Sequence, residues 1–133
     1  MKAYHREHPR VAMSLHTEIV GASGVIHAQT VNISRAGLQL ECDRVTRDAV
    51  FPGGQPLSPS ARPQVRLRIQ LPRRAESCWV EVDARGVIFR RIGADDFRLG
   101  LEFEHFEEGG YHCLERFVDE NWGASDDEGA PVR

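Results

Sequence analysis

The stretch VAMSLHTEIV, residues 11–20, decides the architecture. Val11, Met13, Leu15, Thr17 and Ile19 recur at every second position, with Ser14, His16 and Glu18 between them. Successive side chains of an extended strand point to opposite faces, so this period of two marks a strand with one face inside and one in solvent. Working outward, VIHAQTVNIS follows a Gly21–Gly24 turn as a second strand, and GLQLEC places Leu38, Leu40 and Cys42 inward on a third. QVRLRIQL sets Val65, Leu67, Ile69 and Leu71 against Arg66 and Arg68. CWVEVDARGVIFRR alternates up to Gly86, where a bulge is expected, and FRLGLEF repeats the pattern with Phe97, Leu99, Leu101 and Phe103.

One segment has a helical period. Tyr111, Leu114, Phe117, Val118 and Trp122 lie on one stripe, after Gly109–Gly110 and before Gly123 as the expected C-cap. The Pro-, Gly- and Ser-rich stretch FPGGQPLSPSARP, Phe51 to Pro63, reads as a long surface loop. Together these elements predict an all-β fold. It is a six-stranded antiparallel β-barrel, with a C-terminal α-helix on one opening or edge.

Composition narrows the function classes. The 133 residues allow one domain with a modest core. No apolar run approaches the roughly 20 residues of a membrane-spanning helix, and no h-region marks a secretion signal. Cys42, Cys78 and Cys113 are odd in number and far apart in sequence, which argues against a disulfide framework. The expectation is a cytoplasmic protein without membrane insertion.

The net charge of −3 hides an asymmetry. Residues 1–100 carry 15 basic and 10 acidic side chains, whereas residues 101–133 carry 2 and 10. Lys2 is the sole lysine beside 16 arginines. A positive body built from arginine suits an anionic ligand with planar groups.

Two stretches carry chemistry. In HREHPR, Pro9 biases His8 to an extended conformation, so Arg6 and Arg10 do not share a helical face. They lie roughly 13 Å apart along an extended chain, and their side chains could close on one object from two sides. The same spacing recurs at Arg62 and Arg66, where a solvated loop and strand face accounts for it. In NISRAG, Val31 and Ile33 are expected on the buried face and Asn32 and Ser34 on the other. Gly37 then permits a tight turn or a close backbone approach. An amide, a hydroxyl and accessible backbone on one patch suit contact with a base edge or a phosphate.

Taken in this order, Arg6, Arg10, Asn32, Ser34 and Gly37 resemble the R-x-x-x-R and [D/N]-x-S-x-x-G motifs of the PilZ domain, the receptor module for the bacterial second messenger cyclic di-GMP. RLGLEF resembles a late strand of that family. The resemblance implies that the two arginines grip phosphate and the guanine edge, that Asn32 and Ser34 bind from the barrel wall, and that Gly37 keeps the wall flat. His5 and Arg35 are additional candidates. His5 stands where many members carry an arginine associated with an intercalated ligand dimer, which favours one nucleotide per protein. The expected division is a flexible ligand-binding arm, 1–10, a barrel with its helix, 11–123, and a disordered acidic tail, 124–133. Ligand-driven ordering of the arm would relay the signal to a downstream effector protein.

Other classes are weaker. The histidines His5, His8, His16, His27, His105 and His112 show no H-x-x-x-H or H-x-H spacing, so no metal, cofactor or catalytic centre is expected. Asp95–Asp96 reads as turn chemistry. A nucleic-acid-binding barrel would want aromatics beside basic groups, but Trp79 shares its face with Glu81 and Asp83. A PilZ-like adaptor that binds no nucleotide is the remaining alternative.

Overall fold

Alternating side chains sort the chain into an inner and an outer surface, and the sheet closes on itself to bury the inner one. The computed structural model describes residues 9–21, 24–52, 62–72 and 77–129. The strands are β1 (His16–Gly21), β2 (Gly24–Ile33), β3 (Gly37–Cys42), β4 (Gln64–Pro72), β5 (Ser77–Arg91) and β6 (Phe97–Phe106). They form a closed barrel in the order β1-β2-β3-β6-β5-β4, each neighbouring pair antiparallel. Leu15, Ile19, Leu40, Leu67, Val82 and Leu99 are among the residues that fill the interior.

The alternation breaks at two places that matter later. On β2, Thr30 pairs with Leu40 and Asn32 with Gln39, so Val31 is an extra residue in a bulge. The slip corrects the expected phase: Thr30 and Ile33 face inward, and Val31 is only half-buried. The buried Thr30 hydroxyl is satisfied, donating to the Met13 carbonyl at 2.6 Å and accepting from the Leu15 amide at 2.8 Å. Residues 11–15 therefore follow β2 without joining β1. They are pinned at Val11, which exchanges two backbone hydrogen bonds with Ile33. On β5 the expected bulge follows Gly86, where pairing passes from Gly86–Leu101 to Ile88–Gly100.

Two helices complete the fold. α1 (Arg44–Val50) is not anticipated from the sequence, because seven residues are too few for a 3.6-residue period to show. Its start is nonetheless encoded. Asp43 is extended and its carboxylate accepts from the Thr46 amide at 2.9 Å, which holds the acid below its usual range. α1 inserts Val50 and Phe51 into the core, so Phe51 does not belong to the surface loop expected to begin there. The Phe51 ring lies 5.0 Å from that of Phe89. It also occupies the space over Gly86, where a Cβ would come within 2.7 Å of it. Residues 53–61 of that loop lie outside the described residues.

α2 (Gly110–Gly129) buries Leu114, Phe117 and Val118 against the barrel. Two expectations are corrected. Tyr111 is 43% exposed, with its ring edge on Phe106, and Gly123 lies within the helix. A lone helical glycine costs about 1 kcal/mol, which does not stop a helix. The first part of the expected tail, through Gly129, thus continues α2, while residues 130–133 lie outside the described residues. Folding also brings the Cys78 and Cys113 sulfurs to 3.4 Å, two thiols distant in sequence. Burial pushes the third thiol, Cys42, up to about 12.

The cap gives a test. Asp43→Ala should lower stability by about 1 kcal/mol in urea unfolding at neutral pH. Because the native carboxyl titrates below its unfolded value, its contribution is full above the unfolded pKa and fades as pH falls through the folded one. The penalty should accordingly shrink in acid.

Candidate functional site

The first motif residue within the described region, Arg10, is delivered by the backbone anchor beside it. Pro9 fixes its own φ and removes a donor, and Val11 is stitched to Ile33. This places Arg10 next to Asn32, on the outer wall. Its Nη1 donates to Asn32 Oδ1 at 2.6 Å, and Asn32 Nδ2 donates to Gln39 Oε1 at 3.1 Å. The two motifs, 22 positions apart, thus meet through a side-chain hydrogen bond. Arg6 and His5 lie outside the described residues.

Beside this row opens a cleft of about 230 Å³, lined among others by Arg10, Ser34, Gly37, Gln39, Ile88 and Gly100. Its walls are unusual in two respects. Gly37 lets β6 approach closely and Gly100 lets Ile88 Cγ2 seat over it, where a Cβ would come within 2.9 Å, and the β5 bulge turns Val87 and Ile88 outward, 38% and 59% exposed. The result is an apolar patch rimmed by the Arg10 guanidinium, the Gln39 amide, the Glu102 carboxylate and backbone. Planar rings and charged groups find both of their requirements there.

Ser34 corrects the expected geometry. The strand ends at Ile33, so the period of two no longer applies, and Ser34 is 2% exposed. Its Oγ accepts from the Ala36 amide at 3.1 Å and the Gly37 amide at 3.3 Å, while its own amide donates to the Gly37 carbonyl at 2.8 Å. The hydroxyl shapes the turn instead of standing beside Asn32 on the outer face. What approaches Gly37 is β6: a Cβ would overlap the Leu101 carbonyl oxygen and lie 3.2 Å from Glu102 Cα.

Arg35 points away from the cleft to α2. It pairs with Asp119 and lies 4.0 Å from Glu115, and the hydrogen bond to Asp119 raises its pKa. The other R-x-x-x-R arginine, Arg66, sits in a carboxylate network with Glu107, Asp83 and Glu81, as a strand face should. Trp79 is covered by Arg68 at 4.9 Å. Gln39 and Ile88 are site residues that sequence reading passed over. Alternation alone puts Gln39 outside, between Leu38 and Leu40, but only the β5 bulge exposes Ile88.

The model of the PilZ domain family matches residues 4–120. The chain belongs to the PilZ domain family. This PilZ domain resembles the inhibitor of motility MotI/DgrA of Bacillus subtilis, with TM-score 0.68 and 18% identity over 88% of this chain and 51% of that one. It also resembles the PilZ domain of YcgR from Escherichia coli, solved with c-di-GMP, with TM-score 0.59 and 12% identity over 97% and 100% of the two chains. For PlzA of Borreliella burgdorferi in complex with c-di-GMP the values are 0.56 and 12%, over 93% of this chain and 55% of that one. At such identities the likeness is one of fold. The chain spans about half the length of MotI/DgrA and PlzA. No curated protein sequence matches it. No helix among the described residues is long and apolar enough to cross a membrane.

The close approach at Gly37 has a measurable consequence. Gly37→Ala must push β3 from β6, and should cost about 3 kcal/mol in chemical denaturation. Gly21→Ala, whose Cβ meets nothing within 4 Å, should change stability little.

Proposed function

We propose that this PilZ domain is a receptor for cyclic di-GMP, held by Arg6 and Arg10 from the leading segment and by the Asn32–Gly37 stretch of the wall. The observation that carries this reading is the 2.6 Å contact between Arg10 and Asn32 at the rim of a flat cleft. A guanidinium is a planar fork of five donors, the geometry that meets a phosphate or guanine O6 and N7. The exposed Ile88, seated over Gly100, provides an apolar surface for a purine face. Asn32, bridged between Arg10 and Gln39, orients the arginine, and Ser34 sets the turn that opens the cleft. Support comes from family membership and from the fold shared with YcgR and PlzA, whose structures contain c-di-GMP.

In this proposal the protein is no enzyme: the leading segment closes over the nucleotide from Arg10, which already stands beside Asn32, and a partner protein reads the change in the cytoplasm. With His5 in place of a further arginine, one nucleotide per protein is the favoured stoichiometry.

Calorimetric titration tests the reading. Cyclic di-GMP should bind at micromolar affinity or tighter, while GTP and oligonucleotides should not. Arg10→Ala should weaken binding about tenfold to a hundredfold, the loss of one charge-assisted contact. Replacing Arg6 as well should abolish it. A folded sample that gives no heat with cyclic di-GMP would overturn the receptor reading in favour of a nucleotide-independent adaptor.

A further inference from the structure

A second cluster of chemistry lies on the opposite stretch of β2, well away from Asn32. His27 stands five positions before Asn32, about 17 Å along a strand. His27 faces Glu18 directly across the β1–β2 pair, and His16 lies two positions along β1 on the same face. Their rings stack with centroids 5.1 Å apart and planes 19° from parallel. His16 Nε2 and His27 Nδ1 are 3.3 Å apart, and one donor atom from each of His16, Glu18 and His27 lies within 4.8 Å of the other two.

We infer that His16, His27 and Glu18 form a binding site for a divalent transition-metal ion of the zinc type. The nitrogen–nitrogen separation carries the inference. Zinc–nitrogen bonds of about 2.0–2.1 Å in a tetrahedron place neighbouring nitrogens about 3.3 Å apart. The cluster offers that edge with two imidazoles, and a carboxylate stands at the third corner. Imidazole donors select zinc, copper or nickel over calcium and magnesium, which want oxygen. A fourth position is left to water.

The surroundings fit a ligand set. Glu18 is 15% exposed in its side chain, and Arg68 Nη1 holds its Oε1 at 2.6 Å. Oε2 has no hydrogen-bond partner among the described residues. Arg68 has a second acid, Glu81, at 3.6 Å and lies over Trp79, so it can yield Glu18 without losing all its partners. Trp79 meets the His16 ring edge-on at 5.9 Å, which fixes its orientation. Ligating carboxylates are commonly held by outer hydrogen bonds of this kind. The sequence hides the site because its ligands come from two strands, with no short spacing to betray it. A bound ion would clamp β1 to β2, the strand pair from which the nucleotide arm leads.

Titrating zinc chloride into the full chain, without nucleotide, tests this by calorimetry. One ion per protein should bind. His27→Ala, at an exposed position, should weaken it at least tenfold, and His16→Gln likewise. Cys78→Ser and His112→Ala should leave it unchanged. Cobalt loaded in place of zinc should show ligand-field bands without a thiolate charge-transfer band. Absent zinc binding, binding indifferent to His27→Ala, or binding lost in Cys78→Ser would each overturn the proposal. So would a thiolate band with cobalt. None of these outcomes depends on whether cyclic di-GMP binds.

Discussion

Two backbone hydrogen bonds, between Val11 and Ile33, fix where Arg10 meets the candidate cleft. Without them Arg10 would lose the backbone anchor beside it. With them its side chain is set beside Asn32. The anchor in turn requires the bulge at Val31. That extra residue shifts the phase of β2, which lets Ile33 point inward next to Val11 while Asn32 stays outside. Thr30, buried at the same place, supplies the hydrogen bonds that the disrupted ladder would otherwise lack. A local irregularity, paired and satisfied, thus positions the site.

The barrel was legible because its strands have one wet and one dry face, and a period of two survives in any strand that keeps such faces. What was not legible is what interrupts that period. Val31 reads as buried by counting, and only pairing with β3 reveals the slip. Ser34 reads as the outward neighbour of Asn32, yet the strand has already ended and its hydroxyl turns back to Ala36 and Gly37. Helix α1 is too short to display its period, although Asp43 announced it. Arg10, Asn32 and Gly37 could be found in the sequence because the motif resemblance names them. Gln39 and Ile88 could not, since their place in the cleft depends on contacts between β3, β5 and β6.

The turn after Ile33 connects two surfaces. At one end Ser34 and Gly37 form part of the cleft, and between them Arg35 reaches the acids of α2. Four residues therefore join the wall of the cleft to the helix that closes the barrel. The acidic excess of the C-terminal quarter gives this arginine its partners. The charge asymmetry seen in the composition has a structural use at Asp119 and Glu115, at modest energetic weight, because these pairs are exposed.

Closure of the sheet carries one more consequence. Every strand of the barrel has a hydrogen-bonded neighbour on each side, although for β2 and β5 only along part of the length: β3 meets β2 from Gln29 onward, and β4 meets β5 up to Arg85. Strand addition, one way for a β-protein to capture an extended peptide, is left only those short stretches to use. Over the paired remainder the barrel presents side chains, which can change their contacts without tearing the ladder.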